Sequence, residues 1–190
     1  MSELRRDPII GRWNIIDTDE PSGPEAFEPM VQPASGGKCP FCYGNEGLTP
    51  PELHVLRPQG GAPNGPGWSL RVVPNKFPAL RVEGELGRRG IGVFDMSNGV
   101  GAHEVIIETP DHQRQMADLT LEELQHVITA FKVRSLDLRG DKRFKYTLIF
   151  KNYGISAGAS LEHTHTQLIA LPIVPKRVQE ELNGCERYFE

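Results

Sequence analysis

His163-Thr164-His165-Thr166-Gln167 runs into Leu168-Ile169-Ala170-Leu171 and follows the glycine-bearing stretch from Asn152 to Ser160. Alternate side chains of a β-strand share a face, so this segment reads as a strand that presents two imidazoles and one amide on one side. Beside them lies a loop whose backbone N–H groups can be turned toward a phosphate. Imidazole ligates metals and attacks phosphorus, and the strand carries one histidine for each task. Phe144 to Lys151 reads as the antiparallel partner strand, with Asn152 to Glu162 as the connection.

Outward from that pair, Thr120 and Glu123 form a capping box at the start of a helix. Leu121, Leu124, Val127, Ile128, Phe131 and Leu138 give it an apolar stripe, so it is expected to end near Leu138. Pro175 opens a last helix from Lys176 to about Tyr188. Strands are expected at Arg12 to Ile16, Leu53 to Leu56, Trp68 to Val73, Ile91 to Phe94 and Glu104 to Glu108. Loops are expected from Asp19 to Lys38, from Tyr43 to Pro51 and from Gly60 to Gly67. Many antiparallel strands around one long central helix and a C-terminal helix make an α+β domain, taken as one unit over residues 1–190.

At 190 residues the chain is long enough to bury a core, and 38% hydrophobic with 24% charged residues is ordinary for a water-soluble protein. The net charge of -4 carries no basic excess, so neither a nucleic-acid groove nor an anionic membrane surface is implied. The longest apolar run, Leu168 to Val174, contains Pro172 and is too short for a membrane span. The N-terminal segment has charges at Glu3, Arg5, Arg6 and Asp7 and no apolar core of a signal peptide. With three cysteines, an odd number, this predicts a reduced, cytoplasmic location.

Cys39-Pro40-Phe41-Cys42 supplies two thiols at a spacing that chelates zinc. Thiol redox chemistry uses the same spacing, but there the first cysteine opens a helix, and the glycines and prolines of Tyr43 to Pro51 forbid one here. Two unpaired loop cysteines are the third reading. Zinc needs two more ligands, and His54, His103, His112, His126, His163 and His165 are the candidates. His126 falls within the helix and His54 among apolar residues, which suits structural roles. His103 and His112 flank the Glu104 to Glu108 strand, and His112, in the turn after Pro110, is freer to reach a metal. The loop glycines Gly154 and Gly158 permit an anion nest, to which Asn152 and Ser160 add side-chain donors. His165 can act as a nucleophile on phosphorus if its other nitrogen is held by an acceptor. Gln167 can then donate an amide hydrogen to a phosphoryl oxygen.

These blocks resemble the N-terminal half of the galactose-1-phosphate uridylyltransferase family, within the histidine-triad superfamily. The resemblance runs through Arg6-Asp7-Pro8 with Gly11-Arg12-Trp13, Cys39-x-x-Cys42, Pro74 to Leu80, and Thr109-Pro110-Asp111-His112. It continues through Phe150 to Ser160 and ends with His163-x-His165-x-Gln167. It implies a histidine-triad-like antiparallel sheet and a zinc site on Cys39, Cys42, His112 and His163. It further implies ping-pong transfer of UMP from a UDP-sugar to a hexose 1-phosphate through a nucleotidyl-His165. Asn152, Gly158, Ser160 and Gln167 match phosphate contacts, and Asn75 with Phe77 match the nucleoside site. Glu181 matches a contributor to a second metal site whose other ligands belong to the family's C-terminal half, a half expected to be absent here. The resemblance also implies a homodimer. A third histidine replaces Gln167 in the superfamily's hydrolases; glutamine cannot serve as a general base, which favours transfer over hydrolysis. Two other readings stand beside this one, a nucleoside-diphosphate-sugar (ADP-sugar) phosphorylase and a non-catalytic nucleotide-binding or dimerisation module.

Overall fold

His165 begins the strand that lies second from one edge of a five-stranded antiparallel sheet. The computed structural model describes residues 2–9, 11–18 and 38–190. In chain order it contains β1 (Glu3–Arg6), β2 (Trp13–Ile16), β3 (His54–Leu56), β4 (Leu70–Pro74), β5 (Arg89–Ile91), β6 (Phe94–Asn98) and β7 (Ala102–Ile107). Then follow α1 (Leu121–Leu138), β8 (Tyr146–Phe150), β9 (His165–Leu171) and α2 (Lys176–Phe189). The larger sheet has the order β3-β4-β7-β9-β8, and a smaller one has the order β2-β1-β6-β5. Both are antiparallel throughout, with Val105 opposite Gln167 and Phe150 opposite Gln167 fixing the register around β9. The expectation from 19 to 37 lies outside the described residues.

Strand alternation sorts the larger sheet into two faces with different work. Leu70, Val72, Ala102, Ile106, Leu168 and Ala170 point to one face and pack on Val127, Ala130 and Leu138 of α1. Burying each of the leucine, isoleucine and valine side chains among them contributes about 1.5–3 kcal/mol. On the opposite face Val73, Val105 and Ile107 pack with Phe41 and Trp68, while Ile169 and Leu171 pack with Leu80. The second face therefore carries His165 and Gln167, and α1 is the backing that holds them still.

The helix starts where its capping box says it should. Thr120 Oγ1 accepts from the Glu123 N–H at 3.3 Å, and Glu123 returns the bond by accepting from the Thr120 N–H at 2.7 Å. Its buried face differs from the expected stripe: Leu121 and Ile128 are exposed, while Arg134 is buried. The reason is electrostatic. Glu104, 3% exposed on β7, receives both Arg134 Nε and Nη2 at 2.8 and 2.7 Å, and that paired charge fixes which side of α1 meets the sheet.

Three expectations need correction. The single strand over 91–94 is instead the turn of a hairpin, because Gly92 takes φ 59° between Ile91 and Phe94, which face each other across β5 and β6. The stretch 43–51 is not wholly irregular, since Glu46–Leu48 forms a short 3-10 turn in which buried Glu46 accepts from Trp68 Nε1 at 3.0 Å. β1 was not expected at all; its charged sequence hides a strand that has partners on both sides, β2 and β6. Among the described residues no helix is long and apolar enough to cross a membrane.

Replacing Arg134 with Ala leaves the Glu104 carboxylate buried without its partner. The expected cost is about 3–5 kcal/mol, read as a lowered denaturant midpoint; a change below ~1 kcal/mol would mean the pair does not anchor α1.

Candidate functional site

The loop that precedes β3, the turn that follows β7 and the residues leading into β9 meet at one corner of the sheet. There Cys39, Cys42, His112 and His163 bring their ligand atoms within 4.8 Å of one another. Cys39 Sγ and Cys42 Sγ each lie 3.6 Å from His163 Nδ1, and Cys42 Sγ lies 3.4 Å from His112 Nδ1. A tetrahedral zinc with Zn–S of about 2.3 Å and Zn–N of about 2.0 Å separates sulfur from nitrogen by about 3.5 Å, so the four groups fit that ion. His163 is fully buried, and its Nε2–H donates to the Thr109 carbonyl at 2.8 Å, which leaves Nδ1 as a lone pair facing the thiols. Burial first, and then the neighbouring Cys39, push the Cys42 thiol up to about 11. A cation bound there would displace the Cys42 proton to solvent and hold the sulfur as thiolate.

His165 is the next residue on the same face. Its Nδ1–H donates to the His163 carbonyl at 2.8 Å, so Nε2 carries the free lone pair. Burial holds its pKa below the usual histidine value, with the Lys151 ammonium acting in the same direction, and the ring is neutral at pH 7. Phe41, between the two cysteines, packs edge-on against both rings, with centroids 6.0 Å from His163 and 5.3 Å from His165. Gln167, partly exposed, follows on that face with Oε1 2.8 Å from His103 Nε2.

The reverse face of the same segment is clamped by polar contacts. Thr164 and Thr166 both donate to the buried Glu108 carboxylate. Lys151 Nζ reaches Glu108 at 2.9 and 3.0 Å, Thr164 Oγ1 at 2.7 Å and the His165 carbonyl at 2.9 Å. Alternation thus gives histidines to one side and a braced carboxylate to the other. Phe41, Glu108 and Lys151 escape a sequence reading that looks only for ligands and nucleophiles, and His103, a zinc-ligand candidate by sequence, lies against Gln167 instead. The threonines interleaved with His163, His165 and Gln167 were the available signal for a polar partner behind the strand.

Asn152, Gly158 and Ser160 lie in the connection from β8 to β9, which leaves the sheet at the end where Phe150 faces Gln167. Gly158 has φ 77°, and it and Ser160 are exposed. Asn75 and Phe77 follow β4, where Asn75 Oδ1 accepts from the Phe77 N–H at 2.9 Å and the Phe77 ring is 83% exposed, free to meet a planar ligand. Glu181 is exposed on α2 and pairs with Arg177 at 3.3 Å; among the described residues it joins no group of metal-ligating side chains. His54 sits half-buried on β3 and His126 on α1, and neither belongs to the cluster.

Residues 61–175 match the family described as galactose-1-phosphate uridyl transferase, N-terminal domain. The chain is 36% identical to an ADP-glucose phosphorylase of Arabidopsis thaliana over 99% of its length and 54% of that protein. It is 29% identical to a galactose-1-phosphate uridylyltransferase of Thermotoga maritima over 100% of its length and 53% of that protein. Among solved structures, the Arabidopsis thaliana ADP-glucose phosphorylase with bound ADP-glucose superposes with a TM-score of 0.70 at 35% identity, covering 100% of this chain and 55% of that one. A uridylyltransferase structure superposes with a TM-score of 0.73 at 26% identity, covering 98% of this chain and 51% of that one. The chain spans about half the length of the curated relatives it matches.

Purified under zinc-replete conditions, the chain is expected to hold about one zinc per molecule through the four-residue cluster. Elemental analysis should show that metal lost or weakened more than about tenfold in Cys39→Ser. Retention of full zinc in that variant would move the metal elsewhere.

Proposed function

Because the chain belongs to the galactose-1-phosphate uridyl transferase N-terminal domain family, we propose that it carries the nucleotide-accepting site of a ping-pong nucleotidyltransferase. His165 takes a nucleoside monophosphate from a nucleoside-diphosphate hexose and passes it to a phosphate-bearing acceptor. One observation carries this reading: the bond from His165 Nδ1–H to the His163 carbonyl, at 2.8 Å, which commits the other nitrogen to attack.

In the first step the Nε2 lone pair attacks the α-phosphorus. The N–P bond forms as the bond from that phosphorus to the bridging oxygen breaks, and the electron pair leaves with the hexose 1-phosphate. The ring becomes a cation whose Nδ1–H still donates to the His163 carbonyl, and that oxygen stabilises the charge. The Gln167 amide donates to a phosphoryl oxygen as charge grows there. In the second step an oxygen of the acceptor phosphate attacks the same phosphorus, and the electron pair of the N–P bond returns to Nε2. Gln167 cannot remove a proton from water, so a phosphate oxygen, already anionic, has the advantage. Cys39, Cys42, His112 and His163 would hold a zinc ion, whose role there would be structural, fixing His163 and with it the carbonyl that receives the His165 Nδ1–H.

The family name points to UMP moving from a UDP-sugar to hexose 1-phosphate. The higher identity to the ADP-glucose phosphorylase, 36% against 29% to the Thermotoga maritima uridylyltransferase, favours AMP moving from ADP-glucose to inorganic phosphate. Exposed Phe77 and the amide of Asn75 are the residues proposed to meet the nucleoside, and Asn152, Gly158 and Ser160 the phosphates.

Intact-mass measurement of the zinc-loaded chain after mixing with ADP-glucose or UDP-glucose decides both questions. The expected result is a gain equal to AMP or UMP, absent in His165→Ala and discharged by inorganic phosphate or by hexose 1-phosphate. No gain with either donor would overturn the transfer reading. The rate of adduct formation should also stay level down through the ordinary histidine pKa of about 6.5 and fall only at lower pH. Burial lowers the His165 pKa, so the lone pair is lost only under more acid conditions; a rate still rising well above that pH would contradict a neutral His165.

A further inference from the structure

We propose that His103, wedged between the backbone of Ala79 and the amide of Gln167, is a positioning residue that decides which end of the Gln167 amide faces the reacting phosphate. This role rests on the nucleotidyl-transfer reading. Its geometry is independent of that reading.

His103 lies on the same face of β7 as Val105, and Val105 faces Gln167 across the β7–β9 pair. The imidazole therefore approaches Gln167 diagonally, one step beyond the nucleophile. Its two nitrogens have different partners. The Ala79 backbone N–H lies 3.1 Å from Nδ1, and a backbone N–H can only donate, so Nδ1 is the unprotonated nitrogen. A neutral ring then carries its hydrogen on Nε2, and burial, which lowers the His103 pKa, keeps the ring neutral. Nε2 lies 2.8 Å from Gln167 Oε1. An N–H there needs an oxygen opposite it, so the carbonyl end of the Gln167 amide is bound to His103 and the NH2 end is turned away. Only the NH2 end can donate to a phosphoryl oxygen. The reversed amide would set a carbonyl oxygen against the phosphate and repel it.

The same residue holds the segment proposed to meet the nucleoside. The His103 carbonyl accepts from the Asn75 N–H at 2.8 Å, and the ring takes the Ala79 N–H. Asn75 Nδ2 lies 3.2 Å from His103 Nε2, but it is a donor and cannot accept that proton; its own Oδ1 is occupied by the Phe77 N–H. His103 thus ties Asn75 through its carbonyl, and Ala79 and Gln167 through its ring, and the Ala79 bond sets the proton placement that the Gln167 amide meets.

Two substitutions separate the halves of this role. In His103→Asn an oxygen remains near the Nδ1 position to take the Ala79 N–H, but the donor to Gln167 is gone. In His103→Gln a donor remains near the Nε2 position. Single-turnover formation of nucleotidyl-His165 is measured on the zinc-loaded chain, with whichever of ADP-glucose and UDP-glucose gives the adduct. His103→Asn should slow the step roughly 10- to 100-fold, with donor half-saturation changed by less than about threefold, and His103→Gln should recover most of the rate. In a Gln167→Ala background, His103→Asn should cost less than about threefold more, because the amide it orients is already gone. Full additivity of the two losses, or a loss confined to donor affinity, would overturn the role. Nitrogen-15 spectra of the histidine rings supply a readout that needs no activity: an unprotonated Nδ1 and a protonated Nε2 are expected at His103, and the opposite tautomer would overturn the proposal. Absence of any adduct in the unsubstituted chain would overturn the transfer reading, and with it this role, while the spectra still decide the ring's placement.

Discussion

Three bonds from one residue organise this molecule. His163 turns Nδ1 toward Cys39 and Cys42, gives Nε2–H to the Thr109 carbonyl, and accepts the His165 Nδ1–H on its own carbonyl. The first two fix the ring's tautomer, since a nitrogen that faces a metal-binding pair cannot also carry the hydrogen. The third carries that fixity two residues along the chain to His165, the proposed nucleophile. The proposed metal site and the proposed reactive site share that carbonyl, so a change at the cluster would shift the direction in which the His165 lone pair points.

The two-residue period of the strand makes this economical. His163, His165 and Gln167 fall on one side, and Thr164 and Thr166 fall on the other, where Glu108 and Lys151 hold them. Farther along the strand, that second side becomes the apolar surface on which α1 packs. The segment is thus held from behind by charge-assisted hydrogen bonds and, one turn of sheet later, by close packing. An imidazole that must attack in line with a leaving group needs such backing, because small misplacements cost rate steeply. Gln167 extends the pattern: its amide is useful only in one of two orientations, and His103 supplies the reason for that orientation.

Local signals in the chain were enough to read part of this. The capping box at Thr120 and Glu123 marks the first turn of α1, and the alternation from His163 to Gln167 marks the face that carries the histidines and the amide, because both are short-range properties. The spacing of Cys39 and Cys42 marked them as ligand candidates but left the histidines open; the family resemblance implied His112 and His163, and three distant segments bring those four side chains together. Long-range partners are where the reading ran out. Arg134 carries no local signal of burial, yet it is buried against Glu104, while Leu121 and Ile128 of the apolar stripe are exposed. Glu108 and Lys151 come from the ends of two different strands and meet only after both have paired with β9. His103 was weighed as a metal ligand and is held instead by a backbone N–H and an amide.

In the proposed function this strand presents one defined atom, Nε2 of His165, for covalent transfer. The most direct test is to trap the nucleotidylated chain, locate the modified residue by peptide mass spectrometry, and assign the bonded nitrogen by phosphorus–nitrogen coupling in the labelled protein. A single phosphoramidate at His165 Nε2 is the result predicted here. Attachment at Nδ1 of His165, or at His112 or His163, would contradict it.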